Sequence, residues 1–250
     1  MLDFSIQLAM RAGTFLREKL TSDRQVEYKG IINPVTDADE GSQKLILQAI
    51  EDRFPQHSIL AEENASIDKN SEFTWIIDPL DGTVNYMHQI PIFCVSIALY
   101  RNMTPYLGVC YNPMSNDLFY CEKGKGAYRN GSAIHVSSTE RLIETLVVTG
   151  FPYTKEESEK VVSRLARVLT EVQGIRRLGS AALDLCFVAA GLFDGYWEIG
   201  LSPWDIAAGA LMVQEAGGRV TSFDGEALDI FKDDLLAGNP NIHGLLKRLV

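Results

Sequence analysis

The sequence predicts a mixed α/β (α+β) fold made of two joined halves, and three observations carry that expectation. Apolar residues in the first 54 positions recur at helical spacing. Residues 73–136 read as short strands divided by turn signals. After residue 140, helical and strand patterns alternate. With 250 residues, 46 % apolar and 22 % charged, the composition fits a folded chain of one large domain or two closely joined halves. The change of pattern places an N-terminal α+β half at 1–140 and a C-terminal α/β half at 141–250.

Residues 3–20 predict a helix, with Phe4, Leu8, Ala12, Phe15 and Leu16 near one face. Asn33-Pro34-Val35-Thr36 ends the next loop. Thr36 serves as an N-cap and puts Asp39 at the third helical position. That helix presents Leu45, Ile46, Ala49 and Ile50 to a core and stops at Pro55. A short strand over 57–61 leads into Glu62-Glu63, and 64–72 reads as a loop. Strands follow at 73–77, 93–100, 106–111, 117–122 and 126–129. The turns between them are marked by Arg101-Asn102, Asn112-Pro113, Lys123-Gly124 and Asn130-Gly131. Such close spacing predicts an antiparallel sheet.

In the second half, 146–149 reads as a strand, and Thr154 with Glu157 forms a capping box for a helix to about residue 170. Ser180 opens a helix that ends at Gly191, and 193–199 is a strand. Ser202-Pro203-Trp204-Asp205 starts a further helix, with Ser202 as N-cap and Asp205 at the third position; Gly217-Gly218 closes it. Strands at 219–223 and 234–237 and a short helix after Asn241 complete the order.

A net charge of −10 argues against a general nucleic-acid or membrane-surface binder. No run approaches the ~18–20 apolar residues that span a bilayer. Met1-Leu2-Asp3-Phe4 has neither a basic nor an apolar leader region, so a cytoplasmic location is the expectation. Cys94, Cys110, Cys121 and Cys186 form no C-x-x-C pair and read as buried free thiols. The histidines His57, His88, His135 and His243 lack zinc-ligand spacing.

The chemistry is concentrated in Trp75-Ile76-Ile77-Asp78-Pro79-Leu80-Asp81-Gly82-Thr83-Val84-Asn85-Tyr86. Three apolar residues carry a strand to its end, two carboxylates follow across a proline turn, and Gly-Thr opens a helix. Acids beside free N–H groups fit a divalent ion bridging carboxylates to a phosphate. Asp78, at the strand end, is the natural bridge between two ions. The turn returns Asp81 to the same point and exposes the Leu80 carbonyl. Gly82 lets the backbone approach a phosphate closely, and the Thr83 hydroxyl orients a water with Glu62 as its base. Taken singly, Asp39 and Asp205 simply stabilise helix N-termini, and Glu62-Glu63 is a solvated edge. The ordered combination points to one acidic site.

With those residues in place, the chain resembles the inositol monophosphatases, within the wider group of lithium-sensitive, magnesium-dependent phosphatases. One signature is the run just quoted. The other is Trp204-Asp205-Ile206-Ala207-Ala208-Gly209-Ala210, continued by Glu215-Ala216-Gly217-Gly218. Val35-Thr36-Asp37-Ala38-Asp39 and Ala61-Glu62-Glu63 match intervening elements. The resemblance implies a layered αβαβα sandwich with a mostly antiparallel N-terminal sheet and a second, mixed C-terminal sheet. It implies two to three Mg²⁺ ions, with Glu62, Asp78 and the Leu80 carbonyl on the first. Asp78, Asp81 and Asp205 hold the second, and Glu62 contributes to a weaker third. Glu62 and Thr83 activate the water and Asp39 supports it. Asp81, Gly82, Thr83, Ala181, Glu198 and Lys29 are implied on the substrate side. Lithium inhibition and a homodimer are implied as well.

The expected reaction is Mg-dependent hydrolysis of inositol 1-phosphate to inositol and phosphate by direct attack of water. Fructose 1,6-bisphosphate is the second choice, ahead of histidinol phosphate and 3′-phosphoadenosine 5′-phosphate. D-P-L-D-G-T is one residue longer than the D-x-D-G-T of a haloacid-dehalogenase phosphatase, so no phospho-aspartate is expected. The twelfth position counted from Asp37 is Gln48 rather than Glu, which argues against a calcium loop. A non-enzyme alternative is an RNA- or polymerase-associated regulator on a phosphatase fold. Arg176-Arg177 reads as a solvated basic pair rather than a contact to a second phosphate or a partner subunit.

Overall fold

Strand and helix faces in the computed structural model sort the apolar side chains into three separate cores, and those cores define the layers. The structure describes residues 1–20, 26–28, 34–62, 66–152, 155–232 and 234–250. The elements, in order, are α1 (Leu2–Lys19), β1 (Val26–Tyr28), β2 (Pro34–Thr36), α2 (Asp37–Arg53), β3 (Ser58–Ala61), β4 (Ser66–Ile67), β5 (Phe73–Asp81) and α3 (Thr83–Met87). Next come β6 (Cys94–Arg101), β7 (Thr104–Asn112), β8 (Asp117–Glu122), β9 (Ala127–Arg129), β10 (Ser132–Ile134), β11 (Leu146–Thr149), α4 (Lys155–Leu169) and β12 (Gly174–Arg176). The chain ends with α5 (Ala181–Ala189), β13 (Gly195–Ile199), α6 (Pro203–Glu215), β14 (Arg219–Thr221), β15 (Asp234–Gly238) and α7 (Pro240–Leu246).

The large sheet runs β10-β9-β8-β7-β6-β5-β3-β4 and is antiparallel except where β3 lies parallel to β5. The second sheet runs β12-β11-β13-β15-β14 and is mixed: β11 is parallel to both its neighbours, while β15 is antiparallel to β13 and β14. Alternation along a strand does the layering. Trp75 and Ile77 of β5 pack with Leu8, Leu16, Ile46 and Ile50 of α1 and α2, whereas Ile76 points into the core of α5 and α6. In β11, Val148 faces that same middle core, and Val147 packs outward with Val161, Val168, Ile242 and Leu246 of α4 and α7. The result is helix, sheet, helix, sheet, helix, as the resemblance implied.

Most predicted elements lie within two residues of their expected bounds. Three differ. β5 does not end before the acids but continues through Asp78, Pro79, Leu80 and Asp81, with a bulge between Asp78 and Asp81. The proline sits where the ladder is already interrupted and no N–H is missed. The loop expected over 64–72 contains the two-residue edge strand β4, and β12 was not foreseen. Both are too short to show a period. The capping box at Thr154 and Glu157 involves side chains outside those described. Among the described residues, no helix is long and apolar enough to cross a membrane. The four cysteines are free and buried, as expected.

Candidate active site

Strand register explains why acids far apart in the chain converge. Ala61 of β3 lies beside Ile77 of β5, so Glu62 leaves its strand next to Asp78. The Glu62 N–H still donates to the Ile77 carbonyl at 3.3 Å. The bulge in β5 keeps Asp78 and Asp81 at one end of the sheet. Asp205 arrives from the first turn of α6, where its Oδ2 accepts the Ser202 N–H at 2.7 Å. Glu62, Asp78, Leu80, Asp81, Gly82, Thr83, Ala181, Glu198 and Asp205 all line one cavity of about 410 Å³. Nine of the predicted residues thus meet there. Asp39 lies behind, buried, and accepts a hydrogen bond from Thr83 Oγ1 at 3.0 Å. Lys29 and Glu63 lie outside the described residues.

The supports around the acids are specific. Asp81 Oδ2 accepts from Ser180 Oγ at 2.5 Å and from the Ala182 N–H at 2.9 Å. Ser180 caps α5 by position only; its hydroxyl is turned to Asp81 instead of to its own helix. Asp78 Oδ1 accepts the Leu80 N–H at 2.9 Å, and Ser42 Oγ donates to the Pro79 carbonyl at 2.8 Å. Thr83 Oγ1 is also 3.1 Å from the Leu80 carbonyl. Asn85 Nδ2 donates to the carbonyls of Ile92 (2.7 Å) and Leu178 (2.8 Å), tying the signature to the second half of the chain.

Gly82 has φ of +94°, and a Cβ there would stand 3.0 Å from the Ile92 carbonyl and 3.2 Å from that of Gly179. The protein's own backbone therefore already requires glycine at this position, beside any role toward phosphate.

Electrostatics separates this site from the rest of the surface. Burial, then Glu62, Asp81 and Asp205, hold the Asp78 carboxyl well above the usual range. Burial and then Asp81 do the same to Asp205, and burial lifts Asp81 to about 6 against the opposing Ser180 bond. Arg177 is the one basic side chain lining the cavity among the described residues; it is exposed and lies over Phe151 at 5.8 Å. No three acids, histidines or cysteines among the described residues already stand as a finished metal cage. The donor set is nonetheless all oxygen, mutually repelling and short of positive charge, which suits hard divalent ions. The residues present fit such ions.

Four contributors were not read from sequence in these roles. Ser180 anchors Asp81, Asn85 clamps the halves, and Arg177 borders the cavity rather than standing away from it. Asp184 is fully buried in α5, lines the cavity and has an Oδ1 with no hydrogen-bond partner. Only Asp184 carried a signal: a lone acid between Leu183 and Leu185 in an otherwise apolar helix.

The model of the inositol monophosphatase family matches residues 1–250. An inositol-1-monophosphatase of Mesorhizobium japonicum is 40 % identical over 254 residues, covering 100 % of this chain and 96 % of that protein. The Nus factor SuhB of Escherichia coli K12 is 38 % identical, covering 97 % of this chain and 92 % of its own length. The crystal structure of the extragenic suppressor protein suhB from Bartonella henselae superposes with a TM-score of 0.95 at 41 % identity, covering 99 % of this chain and 96 % of that one. Such a fold, with this kinship, is that of a phosphomonoesterase. The chain belongs to the inositol monophosphatase family.

Proposed function

We propose that the protein hydrolyses inositol 1-phosphate to inositol and phosphate, in a reaction that depends on Mg²⁺. The observation that carries this reading is the convergence of Glu62, Asp78, Asp81 and Asp205 on one cavity that also holds Thr83 and Glu198. Glu62, Asp78 and the Leu80 carbonyl would hold one ion, and Asp78, Asp81 and Asp205 a second; Glu62 would also serve a weaker third. Such ions lower the pKa of a water and offset charge on phosphoryl oxygens.

The chain's own groups do the orienting. The Thr83 proton is directed to Asp39 and the Leu80 carbonyl, which leaves the Thr83 oxygen as an acceptor for a water. Glu62 is the base for that water. The Ser180 and Ala182 bonds occupy Asp81 Oδ2 and leave Oδ1 for the cavity. The first N–H groups of α3 have no intrahelical partner and suit phosphate oxygens beside Gly82. Glu198 accepts from the alcohol side of the substrate with Ala181 as a neighbouring wall, and Lys29 is proposed on the substrate side near the metals.

Phosphate release measured on inositol 1-phosphate, fructose 1,6-bisphosphate, histidinol phosphate and 3′-phosphoadenosine 5′-phosphate, with and without chelator, tests the reading. Turnover highest on inositol 1-phosphate and abolished by chelator is the expected result; turnover that survives chelation contradicts it. A second reading, an RNA- or polymerase-associated regulator on a phosphatase fold, is favoured by one observation: relatives named Nus factor SuhB. Metal-independent partner binding with no turnover on any ester would favour it. The complete acid set favours the enzyme.

A further inference from the structure

β11 and β13 run parallel, with Val148 beside Tyr196 and Thr149 beside Trp197. One step further along that register, Gly150 stands beside Glu198. Neighbouring residues of parallel strands project to the same face, so a side chain at 150 and that of Glu198 compete for one volume. A Cβ built on Gly150 would lie 1.9 Å from Glu198 Oε1 and 2.1 Å from Oε2, inside the space the carboxylate fills. The strands cannot part there easily, because Thr149 Oγ1 donates to the Trp197 carbonyl at 2.6 Å. Gly150 has no positive φ, so its backbone conformation does not ask for glycine. Space does.

Tyr196 supplies the other constraint. It lies two residues before Glu198, on the same face of β13, and is fully buried. Its hydroxyl donates to Glu198 Oε2 at 2.5 Å. That bond fixes the carboxylate and leaves Oε1 as an acceptor. Asp184, with its unpartnered Oδ1, adds a second acceptor to the same cavity. A surface of this kind suits hydroxyl donors better than a second phosphate.

We infer that Gly150 and Tyr196 are positioning residues for substrate choice: the missing side chain admits Glu198 to the cavity, the phenol locks it, and together they select phosphate monoesters of hydroxyl-rich alcohols. The inference rests on the proposed reading that Glu198 meets substrate hydroxyls.

The test compares wild type, Gly150→Ala and Tyr196→Phe on inositol 1-phosphate and on p-nitrophenyl phosphate, whose alcohol offers no such hydroxyls. Both variants are expected to raise KM for inositol 1-phosphate about tenfold, the worth of a lost hydrogen bond to a charged acceptor. KM for p-nitrophenyl phosphate stays put, and kcat moves far less than KM. In a cycle with Glu198→Ala, which removes the whole carboxylate, adding Gly150→Ala should cost nothing further, because the group it positions is already lost. Should Gly150→Ala not fold, Tyr196→Phe carries the test, since it adds no volume. Wild type indifferent between the two esters would contradict the reading of the site and this inference with it. Wild-type preference for inositol 1-phosphate that persists unchanged in the variants would overturn this inference alone. Equal losses on both esters would also overturn it.

Discussion

Thr83 shows how much one hydroxyl is asked to do. Its proton is committed to Asp39 and the Leu80 carbonyl, so what it offers the cavity is an oxygen lone pair. Thr83→Val keeps the shape and removes that acceptor. We predict a fall in kcat of about a hundredfold, the lower end of what a positioned proton-transfer group contributes, with a loss of about 1–3 kcal/mol of stability because buried Asp39 loses a donor. Asp205 separates charge from capping in the same way. Asparagine still accepts the Ser202 N–H, so Asp205→Asn should fold normally. It removes a carboxylate proposed to hold an ion, so turnover should fall at least a hundredfold with a weakened Mg²⁺ dependence. Near-normal rates would argue against the assignment. The acids of the two signatures were legible because their spacing is local and each lies at the start or end of an element. Ser180 was not assigned its role because that depends on a contact across about a hundred residues of chain, to Asp81.

At the scale of elements, α6 is both a core helix and the carrier of Asp205, and it sits directly on β7. A Cβ at Gly108 would be 2.9 Å from the Ala208 carbonyl oxygen and 3.0 Å from its Cα. Backbone cannot yield as a side chain can, so Gly108→Ala must lift the helix. We predict a destabilisation of about 1–3 kcal/mol by chemical denaturation, with reduced turnover because Asp205 moves with the helix.

The packing of α7 gives a pH dependence. His243, on that helix, is buried against Thr221, its Nε2 2.9 Å from Thr221 Oγ1. Burial, then Arg219 and Lys247, lower its pKa from 6.5 to about 4. Above pH 6.5 it is neutral in both states and costs nothing. As pH falls from 6.5 to about 4, the unfolded chain binds a proton that the folded chain refuses, so stability falls. Denaturation midpoints measured across that window should flatten in His243→Gln. Element order was readable from periodicity and turn residues. The course of β5 past Pro79 was not, because a proline normally signals a stop and the bulge that accommodates it depends on β6.

For the whole molecule, five layers bring four acids from β3, β5 and α6 to one end of the large sheet. Asp81 is gripped by Ser180 and Ala182, and Asn85 by Leu178, so the signature of the first half is completed by the second. The alternation of strand and helix patterns showed an antiparallel sheet followed by an α/β half. It did not show how they pack, since that is decided by which face of β11 meets α5 and α6. The net charge of −10 gains a local meaning in this geometry: part of it is concentrated where a divalent ion would offset it. The most direct measurement is an anomalous difference map from crystals of the protein soaked in Mn²⁺. The account predicts ion density in the cavity, shared by Asp78 with Glu62 on one side and with Asp81 and Asp205 on the other. Density elsewhere, or Asp78 and Asp205 side chains turned into separate ion-free regions, would contradict it.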